Sequence, residues 1–325
     1  MMTVELSGTI QQTINRIPRD NKETVRLLLP PGTYRERVEI RVPGLILEGE
    51  SPDNTVIVMD YHASENLADG ERRGTFRSYT MFVGADHITL RNLTVRNDSS
   101  PRREAEQALA LYENGDDFLA ENCRFESFQD TLFLGPLPKK ELQPKGFTGP
   151  GEFSKREIMH QHFTHCVIAG DVDFIFGSGA GYFESCRVIS KSDDYEKDLF
   201  RRGEKDALGY VCAPSTYEGE PYGFIFQNCS FEGDELPKES VYLARPWRDY
   251  GKCVLINCRM DAHIKKEGFH DWNRKKAREE CFFAEYGSTG EGAGRKRVSF
   301  AKMLRQEELK QYETDTFNLY FRCKK

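Results

Sequence analysis

The sequence predicts an all-β chain wound as a parallel β-helix, with a short capping helix at its N-terminal end and a helical C-terminal tail. Three observations lead there. Short strand-like apolar runs recur every few residues as far as about Arg259, separated by Gly, Asn and Asp, with no long helical period between them. A five-residue unit repeats: Glu121-Asn122-Cys123-Arg124-Phe125, Thr164-His165-Cys166-Val167-Ile168, Glu184-Ser185-Cys186-Arg187-Val188, Gln227-Asn228-Cys229-Ser230-Phe231 and Ile256-Asn257-Cys258-Arg259-Met260. Its central cysteines are 43, 20, 43 and 29 residues apart. A constant unit at variable intervals suits coils that carry loops of different length. A β-sandwich would leave the repeated Asn-Cys unit unexplained.

The elements follow in order. Ser7 can cap a short helix with Ile10, Ile14 and Ile17 on one face, closed by Pro18, and this helix would cover the open end of the core. Strands are expected at 25–29, 37–40, 44–49 and 55–59, with a turn at Pro30-Pro31-Gly32. Arg91-Asn92-Leu93-Thr94-Val95 is the repeat unit with Leu in the cysteine slot. In each unit the central residue should stack inside on its counterpart in the next coil, and the preceding Asn, Ser or His should bend the chain. Segments 135–157 and 199–208 read as loops leaving the solenoid, where long loops usually flank a binding face. The tail at 300–317 reads as a helix packed outside the coils. The whole, 1–325, reads as one domain.

Composition excludes several classes. The net charge is −6, giving no reason to expect a nucleic-acid partner. No apolar run is long enough to span a membrane. The N-terminus lacks the basic and apolar regions of a secretion signal, and the nine cysteines, odd in number and often inside apolar runs, read as reduced buried hydrophobes. Both points set the expectation of a cytoplasmic protein, taken to be a monomer.

Two carboxylates stand out. Asp173 lies in the apolar run Val172-Asp173-Phe174-Ile175-Phe176-Gly177, and Asp130 in Ser127-Phe128-Gln129-Asp130-Thr131-Leu132-Phe133. Each sits seven residues after a repeat cysteine, Cys166 and Cys123. Equivalent cysteines in adjacent coils would bring the carboxylates to about 5 Å, one strand spacing. Two carboxylates that close do not readily both ionise, which leaves a charged nucleophile or base beside an acid. Asp193 shares the spacing after Cys186 but lies in polar Lys191-Ser192-Asp193-Asp194 and reads as solvated.

These residues resemble two signatures of the pectin methylesterases, carbohydrate esterases with a right-handed parallel β-helix. Further matches run in order: Gly32-Thr33-Tyr34-Arg35-Glu36, Glu106-Gln107-Ala108-Leu109-Ala110-Leu111, Gly209-Tyr210-Val211-Cys212-Ala213-Pro214, Leu243-Ala244-Arg245-Pro246-Trp247, Glu267-Gly268-Phe269-His270-Asp271-Trp272-Asn273 and Ala284-Glu285-Tyr286. Ala244 stands where the family usually has Gly, Phe269 where it has Trp, and Asp171 adds a charge beside the site.

The resemblance implies hydrolysis of the methyl ester on galacturonate C6 in pectin or methylated oligogalacturonates, with release of methanol and no cofactor or metal. Asp173 would be the nucleophile, Gln107 and Gln129 the oxyanion donors, and Asp130 the acid that then becomes the base. Arg245 would pair with Asp173. Trp247 and Phe176 would stack on sugar, with Val172 and Thr80 as further substrate contacts. His160 and His162 share a strand face but show no carboxylate partner in sequence, so a metal site is not expected there. Arg295-Lys296-Arg297 reads as a solvated turn. A calcium-dependent polygalacturonate lyase, reading Asp171 and Asp173 as metal ligands, and a non-catalytic polysaccharide-binding solenoid are the competing classes. A cytoplasmic enzyme would meet only short imported fragments, and a loop at 135–157 walling the cleft would suit them.

Overall fold

The computed structural model describes residues 1–99, 105–294 and 296–324. Three parallel sheets wind into a right-handed β-helix; among the described residues they hold eleven, seven and eight strands. The repeat unit explains the winding. Asn92, Asn122, His165, Ser185, Asn228 and Asn257 all adopt left-handed backbone, with φ between 49° and 55°. Each is the residue before the central position of its unit, so the chain turns there from the eleven-stranded sheet into the eight-stranded one. Asn is favoured because its short polar side chain tolerates that conformation. Asn122 also donates from Nδ2 to Asn92 Oδ1 at 2.8 Å across the coil boundary.

The central cysteines point inward as expected. Cys123, Cys166, Cys186, Cys229 and Cys258 are buried, and Cys166, Cys186 and Cys229 each place Sγ 3.3–3.4 Å from a carbonyl of the preceding coil. None of the nine cysteines is in a disulfide; Cys281 is half-buried and Cys323 exposed. Between them runs a stack of rings, with Phe163–Phe183 at 4.9 Å and Phe183–Phe226 at 4.5 Å.

The N-terminal helix spans Ile10–Ile14 and buries Ile10 and Ile14, followed by Ile17, in the core. Its cap is Thr9, not Ser7: Thr9 Oγ1 accepts from Gln12 N, and the Gln12 side chain accepts in return from Thr9 N, both at 3.1 Å. Ser7 instead exchanges bonds with the Thr13 hydroxyl. A strand at Met2–Glu5, too polar to read as one, adds an edge to the largest sheet by pairing with Val25–Leu28.

Three further expectations change. The charged segment at 199–208 is preceded by, and partly belongs to, a helix at Asp194–Arg201; Asp193 is its N-cap, accepting from Glu196 N at 2.8 Å, so it is neither free nor in the carboxylate register. The tail adds a strand at Ala301–Met303, a 3₁₀ turn at Gln306–Tyr312 and a helix at Thr314–Lys324, whose Phe317 and Phe321 pack on Tyr222 outside the coils. In the basic run, Arg295 lies outside the described residues. Arg297 is buried, not solvated, and pairs with buried Glu285 at 3.0 Å.

The loop at 135–157 is anchored along its length. Tyr217 donates to Leu137 O at 2.6 Å, Lys145 pairs with Glu71 at 2.7 Å, and Arg156 binds three carbonyls of its own loop. Phe147 is buried, while Leu142 and Phe153 project into solvent.

Candidate active site

The outer face of the seven-stranded sheet carries the site. Leu132 pairs with Ile175, so Asp130 and Asp173, each two residues earlier, are neighbours on adjacent coils, as the spacing predicted. Asp130 N donates to Val172 O at 3.1 Å. Both aspartates have left-handed backbone, φ 63° and 49°. Strain of this kind persists only where the surroundings enforce it. Here the next pairing slips: Val172 faces Tyr210, but Ile175 faces Cys212. The bulge lets Phe174 and Ile175 both enter the core while Asp173 turns outward.

Asp173 is 8% exposed and held by Arg245, which reaches it from the end of the strand Val241–Ala244. Nε donates to Oδ1 at 2.8 Å and Nη2 to Oδ2 at 2.6 Å, a two-point pair with carboxylate and guanidinium edge to edge. Burial raises the Asp173 pKa above its ordinary value, and Arg245 opposes the rise. Asp130 has no such partner. Burial and the neighbouring Asp173 charge push it well above the usual carboxylate range, and Asp171 adds to the push. Both carboxyls are thus raised, Asp130 the more strongly. Asp171 itself is pushed up to about 7 by burial, against a hydrogen bond from Val172 N and the charges of Lys191 and Lys205.

Gln107 and Gln129 lie on the same side, both half-buried. Ala108 N donates to Gln129 O at 3.1 Å, which ties the two segments. Among the described residues, neither side-chain amide is engaged by another protein group. Trp247 is half-buried and sits against Phe176, ring centroids 5.6 Å apart, and against Phe147 at 6.4 Å. Val172 is half-buried beside Tyr210.

Two expected contacts are not where a substrate would touch them. Thr80 is fully buried, and its hydroxyl donates to Arg96 O at 2.8 Å, so it is a structural residue. Phe176, 3% exposed, belongs to a ladder of rings with Phe133, Tyr112 and Phe82, at 4.8–5.0 Å between successive coils. Its work is to support Trp247. Sequence reasoning gave Tyr210 and Trp272 no role, yet both touch the site. The Arg245 guanidinium carbon lies 3.7 Å from the Tyr210 ring centre and 3.8 Å from that of Trp272. The available signal is a pair of aromatics in family-like segments, but nothing in sequence says which side chain they cover.

The histidines form a different cluster. His160 does have carboxylate partners: Nδ1 meets Asp116 at 2.6 Å and Nε2 approaches Asp117 at 3.5 Å. Burial works against its charge, yet these two acids raise its pKa to about 8. Both ring nitrogens thus face carboxylates, a setting that favours the imidazolium. His162 is bonded to Asn318 on the C-terminal helix at 2.8 Å. Among the described residues no group of three His, Cys, Asp or Glu could hold a metal ion.

A right-handed parallel β-helix with two apposed aspartates, an arginine on one of them and free amides alongside defines a class of carbohydrate-directed ester hydrolases. Comparison narrows it. The pectinesterase family model matches residues 5–136 and 154–320, so the chain belongs to the pectinesterase family and is a carboxylic ester hydrolase. The unmatched interval falls inside the 135–157 loop. The chain is 28% identical over 305 residues to a pectinesterase of Petunia integrifolia, covering 90% of this chain and 71% of that one. It spans less than half of several longer plant relatives that pair a pectinesterase with a pectinesterase inhibitor, 43% of one from Solanum lycopersicum. Among solved structures, a pectin methylesterase of Erwinia chrysanthemi superposes with a TM-score of 0.75 at 26% identity, over 97% of this chain and 96% of that one. A pectin methylesterase in complex with a hexasaccharide gives 0.74 at 26% identity, over 95% and 92%.

The relatives also correct one expectation. They are plant pectinesterases, and the polymer such enzymes act on belongs to the cell wall, outside the cytoplasm. The cytoplasmic reading rested on an N-terminus without a visible leader, which does not bear on location, and on reduced thiols, which a hydrophobic core buries in any compartment. It does not stand.

Proposed function

We propose that the chain hydrolyses the C6 methyl ester of galacturonate units in a methylesterified galacturonan, giving carboxylate and methanol through a covalent intermediate on Asp173. One observation carries this: two buried carboxylates apposed on adjacent coils, one of them held edge to edge by an arginine.

Asp173 attacks the ester carbonyl through an oxygen lone pair not used by Arg245. Gln107 and Gln129 donate side-chain N–H bonds to the oxyanion that develops. Asp130 passes its proton to the leaving methoxide as the C–O bond breaks. The resulting Asp130 carboxylate then takes a proton from water, whose hydroxide attacks the acyl group on Asp173. The second collapse returns Asp173 as carboxylate, and the proton stays on Asp130, so the cycle closes. Trp247, half-buried, offers its indole to the sugar chain. The hexasaccharide held by the similar pectin methylesterase supports an oligosaccharide as the occupant of this groove.

The lyase reading fits less well because a guanidinium already neutralises Asp173, where a calcium ion would have to sit. A non-catalytic solenoid would leave the unequal protonation of the aspartates without purpose. The test is methanol release from methylesterified galacturonan with and without a chelator. Chelator-insensitive methanol, with no unsaturated sugar, is expected. Unsaturated product or calcium dependence would support the lyase, and binding without turnover the solenoid.

A further inference from the structure

The Arg245 guanidinium is packed against two aromatic rings. Two ring centres, those of Tyr210 and Trp272, lie within 3.8 Å of its central carbon, and together the rings form a clamp on it. Behind Tyr210 stands Tyr242 on the next coil, stacked at 5.4 Å and 7°. Tyr210 is therefore a fixed wall, supplied by the sheet itself.

Trp272 comes from a turn that is strained and heavily tied. Trp272 and Asn273 are successive left-handed residues, φ 57° and 56°. Neither is Gly, so the turn needs external support. The support lands on both sides of Arg245. His270 N donates to Ala244 O at 3.0 Å, the residue before it, and Arg274 donates to the carbonyl of Pro246, the residue after it. Within the turn, Trp272 N donates to His270 Nδ1 and Asn273 N to Asp271 Oδ1, each at 2.9 Å. Arg278 holds the other Asp271 oxygen. A turn fastened at both ends to the residues flanking one arginine, and spending its strain to lay an indole on that arginine, is built around the guanidinium.

We propose that Trp272 and Tyr210 are positioning residues, which lock the plane of Arg245 so that its two N–H bonds hold Asp173 with one oxygen lone pair aimed at the ester carbon. The proposal rests on the ester-hydrolysis reading above. Without the clamp the long arginine side chain can rotate, the pair becomes single-point, and Asp173 loses both orientation and part of its charge stabilisation.

The experiment compares Trp272→Leu, Trp272→Phe and Tyr210→Leu with wild type in methanol release, giving kcat, KM and the pH profile, with thermal unfolding as a check on folding. Trp272→Leu should lower kcat roughly 10- to 30-fold with KM little changed, and move the acid limb of the profile to higher pH. Trp272→Phe, which keeps a flat ring, should recover most of that loss. In an Arg245→Lys background, Trp272→Leu should add less than about twofold, because its only target is gone. A raised KM with kcat held would make Trp272 a sugar-stacking residue and overturn the clamp. So would an unmoved acid limb, or an undiminished loss in the Arg245→Lys background. Full activity of Arg245→Lys alone would remove the underlying assignment as well, and so is distinguishable from failure of the clamp.

Discussion

Arg245 and Asp173 lie 72 residues apart in the chain and meet edge to edge, two N–H groups on two carboxylate oxygens at 2.8 and 2.6 Å. The contact sets the two aspartates apart. Burial raises both pKa values; the Arg245 charge opposes the rise at both, but only Asp173 also receives its hydrogen bonds. On the reading proposed above, this asymmetry is what would make Asp173 the nucleophile and Asp130 the acid.

Asp173→Asn should reduce methanol release by several orders of magnitude, since an amide cannot attack the ester carbon, while each tenfold corresponds to about 1.4 kcal/mol of barrier. The amide is near-isosteric, so the fold should survive, and circular dichroism together with retained oligogalacturonate binding would show it. A variant keeping a tenth of wild-type kcat would remove Asp173 as nucleophile.

Gln107 and Gln129 are half-buried, and among the described residues their side-chain amides have no protein partner. Replacing either with Ala should lower kcat by roughly 10²–10³, the usual cost of one oxyanion donor, with a smaller change in KM. If KM alone rises, the residue binds ground-state substrate and the oxyanion assignment is lost.

The unequal titration of the pair has a consequence for stability. Asp130 binds its proton more tightly when folded than when unfolded. The folded state therefore holds more protons over the range between the unfolded value, about 3.9, and its raised folded value. Stability from this group is present at low pH and is lost as pH rises through that range. Asp130→Asn removes the titration, so its melting temperature should fall less steeply than wild type from pH 4 upward. Other raised acids such as Glu113 remain in both proteins and cancel in the comparison. Parallel Tm–pH curves would show that Asp130 is not held protonated.

How much of this was legible beforehand depends on whether the signal was local. The Asn-Cys unit was readable because one backbone conformation and one inward side chain recur in every coil, and the seven-residue offset carried Asp130 and Asp173 into register with it. Thr9, not the expected Ser7, is the cap because Gln12 lies three residues after Thr9 and completes the capping box, whereas Ile10 lies three after Ser7. The polar strand at Met2–Glu5 forms by pairing along a sheet edge, a tertiary effect with no apolar alternation to announce it. Thr80 sits in a segment resembling the family, yet its hydroxyl turns to a neighbouring coil. Tyr210 and Trp272 were visible as aromatics, but a clamp between residues 62 positions apart exists only once the coils are stacked.

The 135–157 loop yields the last prediction, through Phe147. This ring is buried against Phe76 at 5.9 Å and Trp247 at 6.4 Å, so the loop supplies part of the wall that Trp247 leans on. Phe147→Ala opens a cavity there, and truncating a buried Phe typically costs 3–5 kcal/mol. At the edge of the fold, partial collapse should bring the loss to the lower end, about 3 kcal/mol. The indole of Trp247, half-exposed and freed on one side, should then hold sugar less well. Among the described residues, the ring partners of Phe147 are Phe76 and Trp247, not the two aspartates or Arg245, so chemistry should be spared: KM rises several-fold while kcat stays within about twofold. Steady-state methanol release on methylesterified galacturonan separates the two parameters. A fall in kcat with KM unchanged would mean that the loop reaches the reacting groups, and that Phe147 does more than brace a sugar-binding indole.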